Sequence, residues 1–127
     1  MMCLKIFLVE DSLPVLNRYR GMIEEIEGAD LLGTADNETD AVSGIQWSNP
    51  DLVVLDLNLK NSNGFEVLRR VKLSAPGIAV AVVTNFTHPQ IKSRCLTLGA
   101  DYFFDKTSDN KRFVELVGTL SRQHSGK

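Results

Sequence analysis

Residues 51–57 read DLVVLDL, and this stretch decides the fold class. Its centre, Leu52 to Leu55, is apolar at every position and not at every second one. Continuous apolar runs are typical of strands that are covered on both faces, as in a parallel sheet. Asp56 interrupts the run near its end. The stretch therefore predicts a central parallel strand whose carboxyl end carries a carboxylate.

Four further segments favour strands, and helical patterns separate them. Residues 4–9 and 78–84 are nearly continuous apolar runs, whereas 29–35 and 101–104 are weaker and are expected nearer an edge. Strand and helix alternate five times with short loops, which predicts an α/β fold with helices on both faces. We expect a doubly wound (βα)5 domain with a five-stranded parallel sheet in the flavodoxin-like order 2-1-3-4-5.

Each predicted helix has an apolar stripe with spacings of three and four residues. Ser12 is the expected cap of the first helix and Asn63 of the third, and the fifth helix is expected to start near Ser108. The stripes comprise Leu16, Tyr19, Ile23 and Ile26, then Val42 and Ile45, then Phe65, Leu68 and Val71, then Ile91, Cys95 and Leu98, and finally Phe113, Leu116, Val117 and Leu120. We expect one domain over residues 1–122 and a flexible tail over residues 123–127.

The composition is that of one globular domain, with 127 residues, 43% hydrophobic and 24% charged. The net charge of -2 argues against direct nucleic-acid binding, and Trp47 is expected to cover the bottom of the domain and not to stack on a base. No apolar run approaches the roughly 20 residues of a membrane span, so no membrane partner is expected. Cys3 and Cys95 suggest neither a metal pair nor a disulfide framework, and a reducing cytoplasm is the expected compartment.

Side chains that can bind ligands or take part in reactions lie at the carboxyl ends of the predicted strands. They are Glu10 and Asp11 after the first, Asp56 near the end of the third, Thr84 at the end of the fourth and Lys106 just past the fifth. The carboxyl ends of parallel strands meet at one edge, which is where open α/β sheets bind ligands. Carboxylates crowded there repel each other, so the cluster predicts a bound cation, and a hard divalent ion such as Mg2+ suits oxygen ligands.

This set of groups is suited to phosphoryl chemistry. A magnesium ion held by carboxylates and by a backbone carbonyl, for which Asn58 is the candidate, also binds a phosphate oxygen. A carboxylate beside the metal can attack phosphorus and form an aspartyl phosphate. The Lys106 ammonium and the Thr84 hydroxyl can contact the remaining phosphoryl oxygens.

The sequence resembles the receiver domains of two-component response regulators, the chemotaxis-regulator fold, over essentially its whole length. The segments that carry the resemblance are Leu8–Asp11, Asp51–Leu57 with Gly64 after it, Val82–Thr84 and Gly99–Lys106. It implies a single-domain, stand-alone response regulator in a phosphorelay, with a histidine kinase or a histidine phosphotransfer protein as donor. It implies no enzyme, beyond catalysis of its own phosphorylation and autodephosphorylation.

The resemblance also implies a role for each site residue. Asp56 is the implied phosphoacceptor, and Thr84 and Lys106 are implied to hold the phosphoryl group. The implied metal ligands are Glu10, Asp11 (the more direct of this pair), Asp56 and the backbone carbonyl of Asn58. Phe103 matches an aromatic switch position whose ring turns inward when Thr84 shifts toward the phosphate. That change alters the partner affinity of the face built by the fourth helix, fifth strand and fifth helix.

Four positions depart from the family pattern. Lys60 stands where a proline is usual, and Asn85 stands where a small residue is usual and can crowd the phosphoryl pocket. Thr107 replaces a proline whose preceding bond is commonly cis. A cis bond before another residue costs about 2.5–4 kcal/mol, so the Lys106–Thr107 bond is left open between cis and trans. Phe103 lacks the hydroxyl that a tyrosine would offer to a partner.

Other functions stay open at this point. A degenerate receiver that acts as a phosphate-independent protein interaction module is supported by Lys60, Asn85 and Thr107. A magnesium-dependent phosphohydrolase would need a general acid two residues after its nucleophile, and Asn58 cannot serve as one. Flavin binding at the same crevice would need a Ser/Thr- or Gly-rich phosphate loop, which the sequence lacks.

Overall fold

The computed structural model describes residues 3–59 and 62–125. The strands are β1 (Leu4–Val9), β2 (Ala29–Ala35), β3 (Leu52–Leu55), β4 (Ala79–Thr84) and β5 (Tyr102–Asp105). The helices are α1 (Leu13–Glu24), α2 (Glu38–Ser48), α3 (Gly64–Ser74), α4 (Pro89–Thr97) and α5 (Asn110–Ser125). Strand and helix alternate along the chain as predicted.

The five strands form one parallel sheet in the order β2-β1-β3-β4-β5. This arrangement confirms the predicted fold class and strand order. The strand order reverses direction at β1, so the connections that leave β1 and β3 run to opposite faces of the sheet. A crevice between such diverging connections is the usual ligand site of an open α/β sheet.

The sheet is covered on both faces, which explains the continuous apolar run in β3. Val53 and Leu55 belong to a core cluster with residues of α2, α3 and α4. Leu52 and Val54 belong to a second cluster with residues of α1 and α5. All four side chains are fully buried. Burying each contributes about 1.5–3 kcal/mol, and a polar residue at any of the four would face a helix instead of water.

Of the two predicted helix caps, the one at α3 is confirmed and the one at α1 is not. Asn63 caps α3 as predicted, because its side chain accepts a hydrogen bond from the Phe65 N–H at 2.9 Å. Ser12 occupies the cap position of α1, but its side chain forms no cap hydrogen bond. The Ser12 N–H instead donates to Glu10 Oε2 at 3.0 Å, so the acidic residue after β1 helps to start α1.

Helix α5 is shifted toward the carboxyl end relative to the prediction. It starts two residues after Ser108 because Asp105 Oδ1 accepts hydrogen bonds from the Thr107 and Ser108 N–H groups and holds this segment in a turn. It runs to Ser125, so it includes part of the segment expected to be a flexible tail. His124 lies in its last turn with Nε2 3.6 Å from Asp51 Oδ2, which connects this end to the domain.

Trp47 does not cover the bottom of the domain, and that expectation was wrong. Its side chain is 92% exposed. The buried face of α2 is formed by Ala41, Val42 and Ile45. Since each helical residue advances by about 100°, Trp47 lies roughly 200° from Ile45 and points to solvent.

Gly64 allows α3 to approach the end of β3 closely. A Cβ atom at this position would lie 2.6 Å from the Asp56 carbonyl oxygen and in contact with the backbone of Leu57. The Gly64 N–H donates to the Leu57 carbonyl at 3.1 Å, which holds the returning chain against the strand end. A glycine is therefore required here for the loop after Asp56 to keep its path.

Candidate functional site

Backbone hydrogen bonds fix the candidate residues at the carboxyl edge of the sheet. The Glu10 N–H donates to the Ala35 carbonyl at 2.9 Å, and the Asp56 N–H donates to the Val9 carbonyl at 3.0 Å. The Lys106 N–H donates to the Thr84 carbonyl at 2.9 Å. Each bond continues a parallel ladder by one step beyond the strand. The positions of these side chains are thus set by the sheet itself and not by flexible loops.

The three acidic residues converge as the sequence predicted. Glu10, Asp11 and Asp56 each offer one carboxylate oxygen, and these atoms all lie within 4.8 Å of one another. Glu10 and Asp56 are only 1% and 3% exposed, whereas Asp11 is half-buried. A set of carboxylate oxygens at this spacing fits a hard divalent cation such as Mg2+.

Lys106 provides the ammonium group of the cluster. Its Nζ lies 2.6 Å from Glu10 Oε1 and 3.0 Å from Asp56 Oδ2. The second oxygen of Asp56 accepts the Asn58 N–H at 3.2 Å. Asp56 is therefore held at both oxygens, one by a cation and one by the loop that follows it.

Burial and pairing shift the pKa of Glu10 in opposite directions, and they do the same to the pKa of Lys106. Burial raises the pKa of the Glu10 carboxyl, although the Lys106 ammonium and the Ser12 N–H act to lower it. Burial acts to lower the pKa of the Lys106 ammonium, but hydrogen bonds to Glu10 and Asp56 outweigh it and the pKa is raised. The ammonium is thus retained at neutral pH, and the Glu10 carboxylate is held at a desolvation cost.

Thr84 is fully buried at the end of β4. Its Oγ1 accepts a hydrogen bond from the Phe86 N–H at 3.0 Å, which orients the hydroxyl at the start of the next loop. The hydroxyl hydrogen stays available for an acceptor, because a hydroxyl donates one hydrogen bond while it accepts others.

These side chains surround one cleft with a volume of about 430 Å³. The predicted residues at its walls are Glu10, Asp11, Asp56, Asn58, Thr84, Asn85, Lys106 and Thr107. Arg18 also lines it, and sequence reasoning missed this residue. Its position three residues after Val15 puts both residues on one side of α1, but no sequence pattern shows that this side faces the cleft.

Phe103 lies apart from the cleft lining. It is half-buried and packs against the core cluster on the face of α2, α3 and α4. Its register partner on β4 is Val82, two residues before Thr84. Residues two apart on a strand share a face, so Phe103 and Thr84 lie on the same side of the sheet.

The departures from the family pattern have a structural outcome at two of the four positions. The Thr107 hydroxyl donates to Asn85 Oδ1 at 3.0 Å, so the two unusual residues pair at the rim of the cleft. The Lys106–Thr107 bond is trans, because no cis peptide bond occurs among residues 3–59 and 62–125. Lys60 lies outside the described residues. Within the same ranges no helix has the length and apolar character needed to cross a membrane.

Comparison with known proteins agrees with this geometry. Residues 6–118 match the family described as the response regulator receiver domain. The response regulator domain of CheB from Thermotoga maritima superposes with a TM-score of 0.83 at 22% identity, covering 98% of each chain. A CheY-like receiver domain protein from Methanospirillum hungatei superposes with a TM-score of 0.84 at 20% identity, covering 99% of this chain and 98% of the other. These two likenesses show the fold.

Relatives found by sequence are longer than the segment that aligns with this chain. The chain is 27% identical over 114 residues to the response regulator GacA of Pseudomonas aeruginosa, covering 90% of this chain and 53% of that protein. It is 26% identical over 124 residues to the uncharacterized transcriptional regulatory protein YesN of Bacillus subtilis, covering 94% of this chain and 34% of that protein. The chain thus spans about half or less of the length of these relatives. Its family match covers most of its own length, and the chain belongs to the response regulator receiver domain family.

Proposed function

We propose that this receiver accepts a phosphoryl group on Asp56 from a phosphohistidine donor and requires Mg2+ to do so. The observation that carries the proposal is the setting of the Asp56 carboxylate, which is 3% exposed and 3.0 Å from the Lys106 ammonium. A buried acid gathered with further acids around one cation is costly, and an apolar residue would pack there more favourably. The two groups beside Asp56 in the cleft, Glu10 and Lys106, have shifted pKa values, and such a setting is better explained by chemistry than by packing.

The metal ligands in this proposal are Glu10, Asp11, Asp56 and the backbone carbonyl of Asn58. Asp11 is the more direct ligand of the acidic pair, because Glu10 is already engaged by Lys106 at 2.6 Å. Bound Mg2+ would neutralise charge on the phosphoryl oxygens and on the carboxylates around them. The protein's own contribution is to hold these oxygens together before the metal arrives.

In the proposed transfer, an oxygen of Asp56 forms a bond to phosphorus while the bond from phosphorus to the donor histidine nitrogen breaks. The Lys106 ammonium, now next to Asp56, binds one phosphoryl oxygen, and the Thr84 hydroxyl donates to another. Both groups already line the cleft.

The output of this proposal is a change in protein binding. Movement of Thr84 toward the phosphoryl group lets the Phe103 ring turn inward on the same face of the sheet, which alters the surface formed by α4, β5 and α5. The donor is a histidine kinase or a histidine phosphotransfer protein, and the downstream target is another protein. We place this module in the cytoplasm, where such donors present their phosphohistidine.

The direct test uses Mg2+ and acetyl phosphate as a small phosphodonor, followed by measurement of intact mass. We expect one added phosphoryl group on the wild-type chain and none on Asp56→Asn. Asp51→Asn is the matched control, because Asp51 lies at the other end of β3 and accepts the Lys5 N–H at 2.8 Å. Equal modification of Asp56→Asn and wild type would exclude Asp56 as the acceptor.

A phosphate-independent interaction module is the second candidate function. The observation that favours it is the hydrogen bond between Thr107 and Asn85, which joins these two unusual residues at the rim of the cleft. Pull-down with the wild-type chain, in the presence and absence of acetyl phosphate, separates the two functions. Equal recovery of a partner by wild type and Asp56→Asn under both conditions would support the second candidate.

A further inference from the structure

Arg18 is a cationic residue of the cleft that the proposed transfer does not use. It lies on α1, and its guanidinium reaches the β5–α5 connection on the opposite side of the cleft. Its Nη2 donates to the backbone carbonyl of Lys106 at 3.3 Å. The contact thus joins α1 to the residue whose ammonium binds Asp56.

Lys106 is held on both sides of its backbone. Its N–H donates to the Thr84 carbonyl at 2.9 Å, and its carbonyl accepts from Arg18. The N–H contact continues the β4–β5 ladder, whereas the carbonyl contact comes from a helix on one face of the sheet. Loss of the Arg18 contact would remove the hydrogen bond on the carbonyl side of Lys106, the residue whose ammonium contacts Asp56.

The guanidinium itself is supported by a buried aromatic side chain. The Arg18 guanidinium carbon lies 5.5 Å from the centre of the Tyr19 ring. Tyr19 is 1% exposed and packs edge-on against Phe113 of α5, with ring centres 5.1 Å apart. Contact with a fixed ring restricts the rotamers of the arginine and favours the extended reach toward Lys106.

We propose that Arg18 is a positioning residue for phosphoryl transfer, which fixes the Lys106 backbone so that the ammonium points at the acceptor carboxylate. The inference rests on the proposed function and adds a residue to it. Arg18 acts through Lys106 and has no contact of its own with the phosphoryl group. Its removal therefore slows transfer only in a chain that still has Lys106.

A double-mutant cycle tests this coupling. The rate of Asp56 phosphorylation by acetyl phosphate is measured at saturating Mg2+ for wild type, Arg18→Ala, Lys106→Ala and the double variant. We expect Arg18→Ala to slow the reaction roughly three- to tenfold in the wild-type background and to have no further effect beside Lys106→Ala. Arg20→Ala is the matched control, because Arg20 lies on the same helix but lines a different groove.

Two further readouts separate positioning from a loss of structure or of charge. Mg2+ affinity measured by calorimetry stays within about twofold in Arg18→Ala, since the metal ligands are unchanged. Arg18→Gln, which keeps an N–H donor but not the charge, recovers part of the rate. An equal slowing by Arg18→Ala in the presence and absence of Lys106 would overturn the inference, as would a wild-type rate in Arg18→Ala.

An NMR measurement without phosphodonor keeps the inference testable by itself. The Lys106 carbonyl belongs to the peptide group of the Thr107 amide, so we expect that amide signal to shift in Arg18→Ala and not in Arg20→Ala. An unchanged Thr107 signal would overturn the inference. Failure of the proposed function is a different result, namely a wild-type chain that takes no phosphoryl group from acetyl phosphate while the Thr107 signal still depends on Arg18.

Discussion

The two ends of the sheet both carry charged side chains, but they balance these charges differently. At the amino end, the Lys72 ammonium lies 3.0 Å from Asp101 and also donates to the carbonyls of Pro76 and Ile78. Asp101 in turn accepts the Val80 N–H at 2.8 Å. Both charges at this end find their partners within the fold.

At the carboxyl end, three acidic side chains line one cleft. Carboxylate oxygens of Glu10, Asp11 and Asp56 lie within 4.8 Å of one another. The Lys106 ammonium lies 2.6 Å from Glu10 and 3.0 Å from Asp56. Two of these acids are buried, so water does little to offset their repulsion. A single ion pair with its own hydrogen bonds stabilises a connection, whereas carboxylates gathered in one cleft repel each other and are suited to bind a cation.

The largest expected effect comes from removing the ammonium at the carboxyl end. Lys106→Met should lower the free energy of unfolding by about 3 kcal/mol in metal-free buffer, because two buried carboxylates lose their cation. Mg2+ should restore much of this loss, since the remaining negative charge then favours the metal more strongly than in wild type. Urea unfolding with EDTA and with Mg2+ measures both effects.

Lys72→Met is the matched variant at the amino end. It should cost about 1 kcal/mol, because the ion pair is partly exposed and the carbonyls that lose a donor can turn to water. The cost should be the same with EDTA and with Mg2+. If the two variants respond equally to Mg2+, the contrast between the ends of the sheet does not hold.

The features of this contrast differ in how far the sequence could predict them. The β3 strand and the placement of Asp56 follow from a local pattern, because burial on both faces requires apolar residues at every position. Asp56, Thr84 and Lys106 then meet because parallel strands bring their carboxyl ends to one edge. These predictions needed only the order of the strands and the rule that crossover connections between parallel strands are right-handed.

The order of strands and the local apolar patterns did not predict the surroundings of Arg18 or Trp47. Arg18 reaches the cleft through several rotatable bonds, and its partner is a backbone carbonyl 88 residues away that no sequence pattern encodes. Trp47 was expected to cover the bottom of the domain, although its helical phase relative to Ile45 already pointed it outward. Phase is therefore a better guide than residue type near the end of a short amphipathic helix.

A smaller effect is expected on the pH dependence of stability through Glu10. Burial raises the pKa of this carboxyl in the folded chain, so the folded state keeps the proton to higher pH than the unfolded state. The folded state then binds more protons above about pH 4.3, the unfolded value, and the Glu10 contribution to stability falls as pH rises through the folded pKa.

Glu10→Gln should remove this dependence in metal-free buffer. The variant should gain stability relative to wild type as pH is raised from about 4.3 toward neutrality, with the gain levelling off above the folded pKa. Thermal unfolding across that range measures the difference, and Glu24→Gln on the exposed part of α1 controls for the loss of one negative charge. A difference that stays constant or shrinks with rising pH would show that burial does not dominate at Glu10.

The smallest expected effect concerns the rim of the cleft at the carboxyl end. Asn85 lines the cleft beside Thr84, and the Thr107 hydroxyl donates to its Oδ1 at 3.0 Å. Asn85→Ala should raise the rate of phosphorylation or hydrolysis at Asp56 by roughly two- to fivefold, because a smaller side chain widens access at the loss of one exposed hydrogen bond.

Thr107→Val separates two effects on access, the size of the Asn85 side chain and its hydrogen bond to Thr107. The substitution removes this hydrogen bond and leaves Asn85 in place, while valine has nearly the size of threonine. If bulk limits access, only Asn85→Ala is faster. If the hydrogen bond limits access, both variants are faster, because the released amide can turn away from the cleft. If Asn85→Ala matches wild type in both the rate of phosphorylation and the rate of hydrolysis, neither the bulk of Asn85 nor its hydrogen bond to Thr107 limits access to Asp56.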